Sequence, residues 1–436
     1  MPMKSKKSLT YQDCLQAMYR LHRFGIKLGL DTIGSILTGL NNPQRQYACI
    51  HIAGTNGKGS VAAYLGSILQ QAGYRVGVYT SPHLIRFNER IVVNQQPISD
   101  EAIVNAYLAV KNVQYGDREP TFFEYTTAMA LYEFARQQVA WAVIETGMGG
   151  RMDATNVIQP VVSVITNISL EHRSYLGNTI AEIAGEKGGI IKYEIPVVTA
   201  VSQPSAITVL EMLAAKQSAP LYRLKKDFRV RRNPDHSFSY SGLENIWKNM
   251  RTGLPGAHQI SNAALALAAC EILNRNHTHI SLMQIQEGLE QTCWPGRLEV
   301  VSRAPMIILD GAHNLDASRK LAHYLATDLK GRKITLVIGI LSDKPYEAIL
   351  KNLISVCSRV ILTCPEIDRA LPIEILYQKA ALLTDNIEQI KDVGRAVDFA
   401  ISTSAPDDVI CVAGSLYVVG EAKAALSHVT EGVQHM

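Results

Sequence analysis

The stretch "YACIHIAGTNGKGSVAAYLGSILQQAG", residues 47–73, constrains the fold more than any other part of the chain. A β-rich apolar run enters a loop carrying Gly54, Gly57 and Gly59, then leaves it as a helical pattern stopped by Gly73. The strand-like "YRVGVYT" follows, so the segment reads strand, loop, helix, strand, and strands joined by such a crossover pair in parallel. "VAWAVIETG", "PVVSVITNI" and "IPVVTAV" are further continuous apolar runs of the kind found in parallel strands buried on both faces. The expected class is α/β, with a mostly parallel, helix-flanked sheet. Ahead of it, "YQDCLQAMYRLHRFG" sets Tyr11, Leu15, Met18 and Leu21 on one helical face. Beyond it, "RVRRNPDHSFSYSG" reads as a small hairpin and "ISNAALALAACEILN" as a buried helix.

A second alternation begins after "CWPGR": "PMIILDG", "KITLVIGIL", "RVILTCP" and "DVICVAGS" read as strands, with helical patterns such as "ASRKLAHYLATDLK" between them. A chain of 436 residues exceeds what one core usually organises, so we expect two domains, residues 1–296 and 297–436. With 43 basic against 39 acidic side chains and no basic run interleaved with aromatics, a nucleic-acid partner is not expected. Seven cysteines without a CxxC pair argue against a zinc site or disulfide framework and for a reducing, cytoplasmic setting. No eighteen-residue apolar run or signal-peptide core occurs, so a soluble protein without membrane association is expected. A monomer is expected, because no coiled-coil repeat or long apolar stripe is visible.

The glycine loop departs from the common phosphate-loop spacing: Gly54 and Gly57 lie three apart, and Gly59 separates Lys58 from Ser60. Its chemistry still fits. Glycines let backbone N–H groups approach an oxyanion, and a helix N-terminus adds a favourable dipole. Lys58 supplies a point charge for phosphates and Ser60 a hydroxyl suited to magnesium. In such sheets ligands bind past the carboxyl ends of the strands. Glu145 ends "VAWAVIE", and Glu171 and His172 close "VVSVITNISLEH", so with Ser60 they form a candidate metal set. Magnesium prefers oxygen ligands, whereas an imidazole suits manganese or a water-mediated contact.

At this point the residues resemble a family. "GTNGKGS", "TSPHL", "FNERI", "FFEYTTAMALYEF", "ETGMGGRMDATNV", "ITNISLEH", "GEKGGIIK", "LPGAHQISNAALALAA", "PGRLE", "LDGAHN" and "AGSLYVVGE" resemble, in order, the bacterial bifunctional dihydrofolate synthase/folylpolyglutamate synthases of the Mur ligase superfamily. The resemblance runs from "KLGLDTIGSIL" almost to the C-terminus. It implies a P-loop Mur-ligase-like ATPase domain and a smaller Rossmann-like C-terminal domain. It also implies an ATP-dependent ligase joining L-glutamate to 7,8-dihydropteroate and to tetrahydrofolates through an acyl phosphate, with magnesium at two sites, manganese as a substitute and a monovalent cation such as K+.

By the same resemblance, Gly54, Thr55, Asn56, Gly57, Lys58, Gly59, Ser60, Asn262, Arg297 and Asp310 would bind ATP, with His258 near Asn262. Ser60, Glu145, His172 and Lys187 match metal positions, Lys187 after carbamylation by CO2, and Lys58, Lys187 and His313 would be catalytic. Thr121, Phe123, Asp153 and Ala154 match pterin contacts, Ser81, Pro82 and His83 a loop over that pocket, and Leu28, Gly29 and Leu30 its border. With groups on both domains, the site is expected in the cleft, with closure excluding water. The chain departs from the family at Leu315 (usually Pro), Glu171 (usually Asp) and Gly188 (usually Ala). Competing readings are a monofunctional folylpolyglutamate synthase, a Mur-type ligase acting on a UDP-linked sugar peptide, and a P-loop regulatory ATPase without ligase chemistry. The Mur-type reading requires a further N-terminal domain, and about fifty residues precede the loop. The regulatory reading leaves "DGAHN" without a purpose.

Overall fold

The structure is a computed structural model that describes residues 9–21, 29–116, 118–276 and 278–433. Contacts divide the chain into two compact units: the described residues of Met1–His83, Asn88–Thr252 and Ile260–Thr292 form one, and those of Leu84–Phe87, Gly253–Gln259 and Cys293–Met436 the other.

In the first unit the strands are β1 (Ala48–Ala53), β2 (Val76–Tyr79), β3 (Ile91–Val93), β4 (Gln96–Pro97), β5 (Trp141–Glu145), β6 (Val162–Ile165), β7 (Val197–Thr199) and β8 (Leu221–Arg223). They form one sheet in the order β4-β3-β2-β5-β1-β6-β7-β8, parallel from β2 to β8, with β3 and β4 antiparallel at one edge. The continuous apolar runs do become strands buried on both faces, as burial of every residue in β2, β5, β6 and β7 shows. Covering helices start where the sequence supplies caps. Thr121 and Glu124 make a capping box for Phe122–Arg136, and Thr179 and Glu182 make another for Ile180–Gly188.

The expected hairpin is instead a three-stranded antiparallel sheet of β9 (Arg229–Arg232), β10 (Phe238–Ser241) and β11 (Ile246–Met250). Its third strand, "IWKNM", pairs through Tyr240 against Trp247, and their rings stack at 5.2 Å. A buried carboxylate holds the β10–β11 turn: Glu271 accepts the Tyr240 hydroxyl at 2.7 Å and the Leu243 and Asn245 amides at 2.7 and 2.8 Å.

The second unit holds β12 (Glu299–Arg303), β13 (Met306–Leu309), β14 (Ile334–Ile338), β15 (Arg359–Leu362), β16 (Ile387–Gln389) and β17 (Val409–Ala413). Their order is β12-β13-β17-β14-β15-β16, with β12 antiparallel to β13 and the rest parallel. Ile308, Leu336, Ile338 and Leu362 pack one face against Leu321, Leu350 and Leu376, while Ile307, Val337 and Ile410 pack the other against Val393, Ala396 and Val418. No described helix is long and apolar enough to cross a membrane.

Candidate active site

Strand register assembles the first unit's site. β1 pairs with β5 on one side and β6 on the other, placing Ile52 opposite Glu145 and Ala53 opposite Ile165. The three strands therefore end level, and the segments leaving them share one end of the sheet. The phosphate loop Gly54–Ser60 follows β1, Glu145 closes β5, and Thr166 and Asn167 follow β6.

These segments are hydrogen-bonded together. The Thr55 amide donates to the Asn167 carbonyl and the Asn56 amide to Asn167 Oδ1, both at 2.9 Å. In return the Asn56 carbonyl accepts from Thr166 Oγ1 at 2.7 Å and Asn167 Nδ2 at 2.9 Å. Two loop glycines are demanded by this closeness. Gly54 sits at φ +148° and Gly57 at φ +85°, and a Cβ on Gly57 would stand 2.5 Å from Asn262 Oδ1. The helix Lys58–Gln71 starts immediately after Gly57 and carries Ser60 buried in its first turn.

Lys58 folds back so that Nζ donates to the Gly54 carbonyl at 3.0 Å and stands 3.6 Å from Glu145 Oε1. Glu145, 5 % exposed, also accepts from the Ser81 amide at 3.4 Å. A second ion pair lies in the same electrostatic neighbourhood: Lys187 Nζ donates to Glu171 Oε1 at 2.6 Å. Burial raises the pKa of Glu171, but the Lys187 and Lys58 ammonium groups outweigh it and hold the carboxyl at about 2. Lys187 is 1 % exposed, and its burial lowers its pKa despite Glu171. Lys187 points inward because it lies on the buried face of Ile180–Gly188. His172 is the residue before the short helix Arg173–Leu176, in a left-handed conformation at φ +44° and without a side-chain capping bond.

The structure also gathers the expected acceptor residues. Gly147 lies so close to Phe123 that a Cβ on it would stand 2.5 Å from the ring, and Phe123 meets Tyr79 at 6.1 Å between centroids. Thr121 is committed as the helix cap, its hydroxyl donating to Glu124 Oε2 at 2.8 Å, with Arg118 clamping Glu124 at 2.6 and 3.0 Å. Asp153, buried beside Ala154, binds its own loop: it accepts from the Met148 amide at 2.8 Å and from the Thr155 amide and hydroxyl at 3.0 and 2.6 Å. Burial raises its pKa while these donors pull it down. Ser81 and Pro82 are joined by a cis peptide bond, and Arg90 Nε donates to His83 Nδ1 at 2.8 Å. Gly29 and Leu30 precede the helix Asp31–Gly39; Leu28 lies outside the described residues. Asn262 is buried within the helix Ala257–Arg275, so it is no helix cap.

In the second unit Asp310 follows β13 and staples the chain. Its Oδ2 accepts from the Leu298 amide at 2.8 Å and its Oδ1 from the Ala312 amide at 2.9 Å. Burial raises its pKa, opposed by the Arg297 guanidinium. His313 Nδ1 pairs with the Gly311 carbonyl at 2.7 Å, and Asn314 caps Leu315–Thr327 by accepting from the Ala317 amide. His258 is held at a pKa of about 4 by burial and by the Lys320 and Arg297 cations.

Thr166, Asn167 and the Glu171 pairing were not singled out as contacts by sequence reasoning. The rule that found Glu145, a polar residue just past a buried strand, also points to "TN" after "VSVI". Among the described residues no three His, Cys, Asp or Glu side chains stand together as metal ligands. Of the expected set, Glu145 and His172 are of those types; Ser60 adds a hydroxyl, and Lys187 as an ammonium donates rather than ligates.

A glycine loop running from a central parallel strand into a helix, with a half-buried lysine and a buried carboxylate at its mouth, defines a nucleotide-binding α/β protein. Residues 52–270 match the Mur ligase middle domain, and residues 296–416 the Mur ligase glutamate ligase domain. The chain is 40 % identical over 430 residues to the dihydrofolate synthase/folylpolyglutamate synthase of Bacillus subtilis, covering 95 % of this chain and 99 % of that one. Among solved structures, E. coli FolC in complex with DHPP and ADP superposes with a TM-score of 0.90 at 30 % identity, covering 99 % of this chain and 100 % of that one. The bifunctional Yersinia pestis enzyme complexed with AMPPNP and Mn ion gives a TM-score of 0.87 at 30 % identity, covering 98 % of this chain and 100 % of that one. The chain belongs to the Mur ligase family, in its dihydrofolate synthase/folylpolyglutamate synthase branch, and is an ATP-dependent ligase.

Proposed function

We propose that this ligase joins L-glutamate to 7,8-dihydropteroate, forming dihydrofolate, and to reduced folates, forming folylpolyglutamates. The observation that carries the reading is the level ending of β1, β5 and β6, which sets Lys58 and Ser60 of a glycine loop, at a helix start, on the same sheet end as Glu145. A carboxylate is a poor electrophile. Its oxygen attacks the γ-phosphorus of ATP, ADP leaves, and the acyl phosphate forms; the glutamate amine attacks the carbonyl carbon, phosphate leaves, and the nitrogen loses its proton to solvent or phosphate. Lys58 offsets negative charge on the phosphates as the γ-phosphoryl group moves.

Buried oxygen donors at Ser60 and Glu145 fit a hard divalent cation, and the His172 imidazole extends the fit to manganese. These residues would hold the metal, which supplies charge neutralisation on phosphate oxygens. Lys187 would join them as a carbamate, formed when its neutral amine adds CO2 and releases a proton. Mg2+ at two sites is the proposed form, with K+ tested in the same assay. Phe123, Asp153 and Ala154, with Thr121 and the Ser81–His83 loop, are proposed to face the pterin, and Arg297, Asp310 and His313 to serve ATP. The proposed functional division is 1–296 for ATP and pterin and 297–436 for the glutamate ligase part, supported by the two domain matches. A cytoplasmic monomer completes the reading, supported for the compartment by seven free cysteines.

The test is ATP-dependent phosphate release with L-glutamate and Mg2+, product masses included, comparing dihydropteroate, tetrahydrofolate and a UDP-muramoyl peptide. Release with both pterins and a glutamate-sized mass gain is expected. Release with tetrahydrofolate alone replaces the proposal by the monofunctional reading, and release with the UDP-peptide or with no acceptor overturns it.

A further inference from the structure

His51 is a polar residue in the middle of an apolar strand, "ACIHIA", between Ile144 of β5 and Ser163 of β6. It is fully buried. A histidine in such a place needs a reason, since transfer of a polar group from water is costly unless it is paired. Its Nε2 lies 2.8 Å from Thr155 Oγ1, while Thr155 Oγ1 donates to Asp153 Oδ1 at 2.6 Å.

Proton counting fixes the direction of this chain. Both Asp153 oxygens already accept from backbone amides, Oδ2 from Met148 and Oδ1 from Thr155, so the carboxylate acts as acceptor and takes the one proton of the Thr155 hydroxyl. His51 must therefore donate from Nε2, so its proton sits there and Nδ1 is the bare nitrogen. Nδ1 is itself buried and has no hydrogen-bond partner among the described residues, which fits a neutral ring held for the one bond its other nitrogen makes. Burial, aided by the Lys192 ammonium, pushes the ring pKa down to about 3, so the ring stays neutral at working pH.

We infer that His51 is a positioning residue for the acceptor pocket: its Nε2–H turns the Thr155 hydroxyl onto Asp153, fixing the carboxylate and the loop from Gly147 to Thr155 against which Phe123 packs. Without that donor the hydroxyl is free to rotate, and one of two Thr155 bonds to Asp153 Oδ1 loosens. The carboxylate and the loop amides then sample several arrangements, which weakens acceptor binding while ATP is held elsewhere on the strand ends. The inference rests on the proposed placement of Asp153 in the acceptor pocket.

The experiment compares His51→Leu, His51→Gln, Thr155→Val and Asp153→Asn by initial rates, varying dihydropteroate and ATP separately. Gln is chosen because its amide nitrogen carries an N–H close to where Nε2 stood. We expect His51→Leu and Thr155→Val to raise KM for dihydropteroate at least fivefold with KM for ATP and kcat within twofold, and His51→Gln to restore KM to within twofold of the parent. Equal losses in the Leu and Gln variants, or a matching rise in KM for ATP, would overturn the inference, because general packing damage does both. An effect in Asp153→Asn without one in His51→Leu and Thr155→Val overturns this inference alone. No acceptor effect in Asp153→Asn removes the placement of Asp153 and the inference with it. Where His51→Leu fails to fold, 15N spectra of histidine-labelled parent enzyme at pH 7 decide. A His51 signal protonated at Nε2 supports the chain, and one protonated at Nδ1 overturns it.

Discussion

Gly54→Ala is the substitution whose cost the geometry sets most tightly. Gly54 has φ +148°, a region in which residues with a side chain are strained by roughly 1–3 kcal/mol. A Cβ there would overlap Thr166 Oγ1 and stand 3.1 Å from Thr166 Cβ and 3.2 Å from its backbone nitrogen. Since the Thr166 hydroxyl is bonded to the Asn56 carbonyl, displacing it loses a further 0.5–1.5 kcal/mol or so. About 3 kcal/mol falls on the phosphate loop. If the loop must regain its shape to bind the triphosphate, kcat/KM for ATP drops about a hundredfold. Steady-state kinetics with ATP varied reads this directly, and circular dichroism checks that the fold persists. The double variant Gly54→Ala/Thr166→Ala removes the overlap but keeps the φ strain and still lacks the Thr166 hydroxyl bond, so it should lose about as much as Gly54→Ala. Parent-like kcat/KM in Gly54→Ala, or full recovery in the double variant, refutes the reasoning.

Glu145→Gln removes the negative partner of Lys58 at 3.6 Å and should lower turnover about a hundredfold or more without changing the unfolding midpoint by more than a few degrees. Normal turnover would remove Glu145 from the chemistry. Asp310→Ala orphans the Leu298 and Ala312 amides and should destabilise the second unit by about 1–3 kcal/mol, read as a lower denaturant midpoint. His51 has a folded pKa of about 3 against 6.5, so between those values the unfolded chain binds the proton and the folded chain does not. Its contribution is therefore fully present above pH 6.5 and is lost as pH falls toward 3, at up to about 1.4 kcal/mol per pH unit. Urea unfolding at pH 7 and pH 5 should show a shallower acid loss in His51→Gln than in the parent.

Local signals carried the fold well where one element had one meaning. The run "YACIHIAGTNGKGSVAAYL" encodes strand, positive-φ glycines and helix within twenty residues, and β1, the loop and Lys58–Gln71 follow it. Long apolar runs became buried parallel strands for the same reason. Pairing partners were less visible: "IWKNM" alternates too weakly to announce β11, and "EVVSR" gave no sign that it would run antiparallel as the edge strand β12. Segments Leu84–Phe87 and Gly253–Gln259 cluster with the second unit although neither lies near it in sequence, a placement set by tertiary packing alone.

The site divides in the same way. Glu145 was found because a polar side chain at the end of a buried strand is anomalous, and Asn167, just past β6, answers to the same rule. Lys187 could be raised above an ordinary surface lysine only through family resemblance. Its burial depends on which face of Ile180–Gly188 meets the sheet and on Glu171 arriving from another loop. His51 was legible as an oddity, a histidine inside an apolar strand, but its partner Thr155 lies 104 residues away.

The central claim is that ATP activates the acceptor's carboxylate, and isotope transfer tests it most directly. With 18O in the carboxylate of dihydropteroate, ATP, L-glutamate and Mg2+, the account predicts one 18O atom in each phosphate released, because the oxygen that attacks phosphorus leaves with it. Phosphate free of 18O, alongside normal formation of the glutamate amide, would contradict the acyl-phosphate route.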